Sequence, residues 1–372
     1  MDARSGEYAG AEHARVEHAR AERQPAVDAV GPALARPDDT RVEDRPERGR
    51  GVGLALFAAG LGVLGACLAA FAGAEPPPVP PGEAVVWVAD RDASRVYGLD
   101  SNLLLARRLA VDWPLEVEPA HDGGLWVLRS AAGISSSTHR LDRFDANGVL
   151  VTELWLERAT DLDVLGGGEQ ALLVEERAGF PARLLRVRTE GSLFVLIERG
   201  GLACVTGERD TAVVGTSEGD VLRVHAESGA VVTSARVGTR IIDLAPGPEP
   251  GMAWALDGAG NGRVVLLAAD LSVRWSRALA RSAAHLAPVR GEERVWLANT
   301  LEPCVVRIGP DGVLELDRCG LPLPGLDRAL AWRGGVIVSA VGAILRLDST
   351  GNLRPGQGGF DFVVDIAPTS RE

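Results

Sequence analysis

Short aliphatic runs, each ending on a small or polar residue, return at a nearly constant interval from residue 86 onward. Six are Val86–Asp90, Leu125–Arg129, Leu172–Val174, Val213–Thr216, Ala253–Asp257 and Val295–Asn299, and the seventh is Val336–Ala340; their starts lie 39, 47, 41, 40, 42 and 41 residues apart. After each run comes a segment that alternates apolar and polar positions, such as Leu141–Phe144, Leu184–Val187, Val221–Val224, Val305–Ile308 and Ile344–Leu347. Alternation with period 2 predicts a half-buried strand. Tight-turn sequences follow, Asp145–Gly148, Ala226–Gly229, Gly309–Gly312 and Asp348–Gly351 among them, with Gly and Asn at the places where hairpin turns need positive φ. An outer strand such as Val149–Leu156 or Val231–Val237 completes the unit. Several short strands repeating every forty or so residues predict an all-β, seven-bladed β-propeller with one four-stranded sheet per blade.

The inner strand that opens each blade is expected at Leu115–Val117, Leu162–Val164, Leu202–Cys204, Ile242–Leu244, Ala284–Leu286 and Arg328–Leu330. A last copy, Val364–Pro368, has no blade after it, while the first blade, starting at Val86, lacks this inner strand. The surplus part therefore completes the deficient one. A C-terminal strand closing the first blade hides both free edges.

The rest of the chain organises around this ring. Residues 1–50 are Ala, Arg, Glu, Asp and Pro with few bulky apolar side chains, a composition expected to remain a disordered charged tail. Residues 51–74 carry no charge, and as a helix of about 36 Å they would span a bilayer. Arg45, Arg48 and Arg50 precede this segment and Glu75 with a Pro-rich linker (75–84) follows it, which places the tail in the cytoplasm and the propeller (85–368) outside. The segment reads as a transmembrane signal anchor. Two other readings also export the propeller: Ala72-Gly73-Ala74 resembles a signal-peptidase site, making a secreted protein, and Leu64-Gly65-Ala66-Cys67 resembles a lipoprotein box. Residues 369–372 form a short C-terminal tail.

Composition removes several function classes. The formal charge is −12 with acid and base interspersed, so no basic stripe exists to meet nucleic acid. All 39 basic residues are Arg, which excludes Schiff-base and P-loop lysine chemistry. The four cysteines, Cys67, Cys204, Cys304 and Cys319, include no Cys-x-x-Cys pair. Cys304 and Cys319 flank the Gly309–Gly312 turn and are candidates for a cross-link in an oxidising compartment, given a bulge that brings them into register.

One column carries candidate chemistry. The residue before the aliphatic position of each inner strand is Glu116, Asp163, Ala203, Asp243, His285, Ala329 and Asp365. Inner strands surround the central channel, so Glu116, Asp163, Asp243, His285 and Asp365 are candidate ligands for a divalent ion, Ca²⁺ or Mg²⁺ by their oxygen content. The same carboxylates can instead accept backbone N–H groups from the next blade and staple the ring. The Trp column (Trp87, Trp126, Trp254, Trp296) is expected to pack between blades, and the Arg column on the third strands to form ion pairs across blades. The two longest loops, Arg129–Thr138 and Glu175–Pro181, both follow a second strand, and loops on a rigid scaffold are where recognition commonly resides.

Val86-Trp87-Val88-Ala89-Asp90, followed by Arg95-Val96 and Leu99-Asp100, resembles an NHL repeat, as does Asp243-Leu244-Ala245 leading into Ala253–Asp257. The likeness covers residues 85–368 and is shared with virginiamycin-lyase-like and gluconolactonase-like propellers. It implies the fold, and the gluconolactonase-like relatives imply a divalent ion in the channel. Lyases of the peptidyl-hydroxyglycine type, also similar in fold, need three zinc-binding histidines; here the propeller offers only His121, His139, His225 and His285, with Tyr97 its only tyrosine. The expected role is a monomeric, bacterial-type, membrane-anchored propeller outside the cytoplasm that binds a protein or envelope component without catalysis. The alternative is a metal-dependent hydrolase or lyase working in the channel.

Overall fold

The computed structural model describes residues 84–369 apart from 134–136, 167, 300–302, 322–325 and 341. The segments expected to form the charged tail and the membrane anchor lie outside the described residues. Among those described, no helix is long and apolar enough to cross a membrane.

Among the described residues, twenty-eight strands form seven antiparallel four-stranded sheets, each ordered from an inner strand to an outer one. In blades 2 to 7 the inner strands are Pro114–Pro119, Arg158–Leu165, Leu202–Gly207, Ile241–Pro246, His285–Val289 and Leu326–Trp332. Blade 1 takes its inner strand, Val363–Pro368, from the other end of the chain. That strand pairs antiparallel with Val86–Asp90, Val86 opposite Pro368 and Val88 opposite Ile366. The expected closure is therefore present.

Several contacts pin the closing segment. Asp90, which ends the second strand of blade 1, accepts the amides of Asp361 at 2.8 Å and Phe362 at 2.9 Å. The guanidinium of Arg91 stacks over the Phe362 ring at 4.4 Å. Beyond the strand, Thr369 donates its amide to the Val85 carbonyl at 2.9 Å and its hydroxyl to the Ala84 carbonyl at 2.6 Å.

Hydrophobic packing follows the blade junctions. At the closing junction Ile337, Ile344 and Phe360 of blade 7 meet Val86, Val88, Tyr97 and Ile366 of blade 1, with Tyr97 edge-on to Phe360 at 5.3 Å between centroids. Trp126, Trp254 and Trp296 are fully buried and Trp87 nearly so, each in a cluster that spans two blades. Trp126 also donates its indole N–H to the Gly168 carbonyl of blade 3 at 2.7 Å. The Trp column thus packs between blades as its spacing implies.

The Arg column is more varied than a uniform interblade ion network. Arg186 reaches Glu227 of the next blade at 2.6 Å. Arg143 and Arg223 instead pair within their own blades, with Asp122 at 2.6 Å and Glu208 at 2.7 Å. Arg223 and Arg307 cross to the next blade through carbonyls, those of Gly251 and Ser349.

Cys304 and Cys319 are disulfide-bonded. Val305 pairs with Arg318, which sets Cys304 directly opposite Cys319, and the required bulge falls between Arg307 and Ile308.

The ring depends on its last strand. A chain truncated after Phe360 should aggregate, because the cut exposes the edge of Val86–Asp90 and opens the closing junction. Size-exclusion chromatography with thermal melting checks this, and a monodisperse chain with an unchanged melting temperature would contradict it.

Candidate functional site: the channel column

The inner strand of each blade has one edge paired and the other facing the central channel. Its free amides need acceptors that no further strand supplies. At three junctions the structure supplies them from side chains of the preceding blade. Val117 N–H of blade 2 donates to Asp365 Oδ2 of blade 1 at 2.8 Å, and Leu286 N–H of blade 6 donates to Asp243 Oδ2 of blade 5 at 2.7 Å. Between blades 3 and 4, Val205 N–H donates to Asp161 Oδ2 at 2.6 Å and Gly207 N–H to Asp163 Oδ2 at 3.1 Å. Four carboxylates therefore act as staples.

Strand pairing corrects the column itself. The residues opposite Ala89, Leu128, Val174, Gly215, Leu256 and Ala298 are Asp365, Glu116, Asp161, Cys204, Asp243 and His285. In blade 7 a bulge lies between Leu326 and Ala329, and Arg328 takes the place, its amide donating to Ser339 Oγ at 2.9 Å. Asp161, Cys204 and Arg328 thus replace the expected Asp163, Ala203 and Ala329. Asp163 lies two residues further along the same strand, opposite Leu172. Bulges in the inner strands of blades 1, 2, 3, 4, 5 and 7 shift this register.

Arg328 is the hub of the column. Its Nη2 donates to Glu116 Oε1 at 2.8 Å and its Nε lies 3.4 Å from Asp365 Oδ1. Its Nη1 sits 3.0 Å from His285 Nδ1, which in turn is 3.8 Å from Asp243 Oδ2. Burial works against the Arg328 charge, but the surrounding carboxylates, Asp365 and Glu116 foremost, outweigh it and hold the guanidinium protonated. Burial, then the neighbouring Arg328, pushes the His285 pKa well down. The ring is therefore neutral and Nδ1 accepts from Arg328.

The carboxyls feel the same desolvation. Burial lifts Glu116 from 4.5 to about 8 despite its Arg328 partner. The Leu162 amide gives Glu116 a weaker stabilising contact, while its Oε2 has no partner at hydrogen-bonding distance among the described residues. Asp243 is lifted from 3.8 to about 6, and Asp161 well above its ordinary value, in both cases chiefly by burial. Burial, with Asp161 and Asp243 nearby, pushes the Cys204 thiol up, which makes it an inert buried group instead of a nucleophile.

The column does not suit a cation. A guanidinium already stands among the carboxylates and supplies their neutralising charge. Among the described residues, no three His, Cys, Asp or Glu side chains are grouped so as to hold a metal ion. Glu116, Asp243, His285 and Asp365 do share the column, but as partners of Arg328 and of the next blade's amides.

The face at the far end of the channel is set by the hairpins. Val86 pairs with Leu99, and Leu99 with Leu105, so the linker before residue 84 enters where second strands begin. The hairpins joining second to third strands project from the opposite face. Glu175–Pro181, expected to be a loop, is such a hairpin: Gln170–Arg177 and Phe180–Arg188 are strands, joined through Ala178 and Gly179, the latter at φ 78°. Of the other candidate loop, Arg129–Thr138, residues 134–136 lie outside the described residues.

Neither a protein-family model nor a curated protein matches the chain. Solved propeller structures do. A putative 6-phosphogluconolactonase from Bacteroides fragilis NCTC 9343 is 12% identical with a TM-score of 0.58, covering 79% of this chain and 100% of that one. BamB from Moraxella catarrhalis is 15% identical with a TM-score of 0.54, covering 77% of this chain and 86% of that one. At such identities the likeness is one of fold.

Two outcomes follow from the column. Asp243→Ala leaves the Leu286 amide without its acceptor and should cost about 1–3 kcal/mol, read as a melting temperature several degrees lower. Glu116 binds its proton more tightly in the folded chain than in the unfolded one, with a pKa raised from 4.5 to about 8. The stability it contributes is therefore full below pH 4.5 and is lost as pH rises through about 8. His285, kept neutral, opposes this trend only below its ordinary value of 6.5. Melting temperature should accordingly fall between about pH 6.5 and 8, and Glu116→Gln should flatten that slope. Identical slopes in the two chains would refute the assignment.

Proposed function

We propose that the chain is a membrane-anchored propeller outside the cytoplasm that works as a non-catalytic, protein-binding or scaffolding module. The observation that carries this reading is the commitment of the channel's ionisable groups to structure. Glu116, Asp161, Asp243, His285, Arg328 and Asp365 each meet the next blade or the Arg328 hub. A hydrolase or lyase would need some of these groups poised toward a substrate or a metal. Arg328 among the carboxylates instead gives the neutralisation that a divalent ion would give.

Two further features support the reading. The Cys304–Cys319 disulfide suits an oxidising compartment. The Phe180 hairpin projects from the face opposite the one where Val86–Asp90 begins, and that face is the one proposed to meet the partner. Phe180 is 68% exposed, a large apolar group presented on a rigid strand pair.

Site-specific photo-crosslinking in intact cells tests the reading. A crosslinker at Phe180 should yield one discrete protein adduct, and one at Asn147, in a turn of the linker-entry face, should not. Protease added to spheroplasts should reach the propeller. Equal adducts at both positions, no adduct at Phe180, or a propeller protected from external protease would overturn it.

A further inference from the structure

An open cleft of about 500 Å³ lies on the face away from the linker, where blades 3, 4 and 5 begin their inner strands. Its floor is apolar, made by the buried Leu202 and Ile241. Phe180 forms one wall from the projecting hairpin. Arg177 braces that wall: its guanidinium lies 5.4 Å from the Phe180 ring centroid, donates to the Pro181 carbonyl at 3.0 Å, and pairs with Glu198 at 3.1 Å.

The lining also carries donors without acceptors. Arg240 is held by its backbone, its amide donating to Asp257 Oδ1 at 3.0 Å and its carbonyl accepting Gly258 N–H at 2.8 Å. Its exposed guanidinium has no partner among the described residues. The turn at Gly200-Gly201 adds two amides that make no hydrogen bond among those residues. Gly201 sits at φ 75°, and a Cβ there would come within 2.8 Å of both Ser217 Oγ and Glu218 Oε1. That φ disfavours any side chain, so glycine keeps the backbone there bare. At Gly200 a Cβ would meet nothing within 4 Å, so the turn borders open space. Glu176, the acid that lines the cleft, is 3.4 Å from Arg158.

An unpaired guanidinium and bare turn amides lining one cleft suit a carboxylate, which accepts both kinds of donor. The apolar floor and the Phe180 wall suit an apolar side chain next to that carboxylate. The cleft is shallow, since Glu176, Phe180, Gly200, Ser217 and Arg240 are all exposed. A free small acid is ordinarily enclosed by its site, whereas a chain end needs an open side through which the chain leaves. We propose that this cleft captures the C-terminal carboxylate and last apolar side chain of an extended segment of a partner protein. The inference rests on the protein-binding reading above and names the part of the partner that is held.

The test is a fluorescence-binding screen of the full-length chain in detergent. The probes are synthetic hexapeptides randomised at five positions, with each of the twenty amino acids last, each made as free acid and as C-terminal amide. Free acids ending in an apolar residue should bind. Amidation, Arg240→Ala and Phe180→Ala should each weaken binding at least tenfold, with the melting temperature of both variants unchanged. No binding by any pool, or equal binding of acid and amide, would overturn the proposal. So would an Arg240→Ala chain that binds as the parent does. Binding of N-acetylphenylalanine as tight as that of the best peptide would assign the cleft to a free acid and overturn capture of a chain end. A Phe180 crosslink that survives Arg240→Ala would remove the carboxylate site and leave the partner-binding reading standing.

Discussion

A closed ring of sheets has a problem at its centre. Each inner strand pairs on one side only, and its other edge faces the channel, where no further strand pairs with it. Amides such as those of Val117, Val205 and Leu286 would be left without acceptors at a cost of about 1–3 kcal/mol each. Here Asp365, Asp161 and Asp243 of the preceding blades accept them. Each bond joins two blades, so the same interaction that satisfies the backbone also holds the ring in register.

That solution brings acids together in a poorly solvated space, and Arg328 is the answer to the second problem. Its position on the inner strand of blade 7 lets it reach Glu116 and Asp365 on one side and His285 on the other. Charge repulsion among the acids is offset by a single cation, while their burial appears as raised carboxyl pKa values. Burial of an ion network contributes little net stability compared with apolar packing, whereas removing one member leaves the others uncompensated. The column is thus better understood as a specifier of blade register than as a source of stability. The hydrophobic clusters at the junctions provide the latter.

Much of the architecture was legible in the sequence. The forty-residue period and the surplus Val364–Pro368 segment record two facts that packing must obey, blade repetition and edge closure. The Trp column was legible for the same reason. The channel column was only half legible. Asp161-Leu162 and Asp163-Val164 present the same acid–aliphatic pattern, and a bulge between Ala159 and Asp161 decides which faces the column. No Gly or Pro marks that bulge. Arg328 was missed because a search for metal ligands passes over a cation, although an arginine in register with several acids is itself a signal. The cleft draws residues from three blades, and no local spacing records it.

The central claim, that these carboxylates serve blade closure and that Arg328 neutralises them, is tested most directly by thermal melting of the full-length chain with added Ca²⁺, Mg²⁺, Mn²⁺ or Zn²⁺. A divalent ion bound to the native state at a hundred times its dissociation constant would add about 2.7 kcal/mol of stability. The account predicts no saturable rise in melting temperature with any of the four ions. A saturable rise that Asp243→Ala abolishes would contradict it.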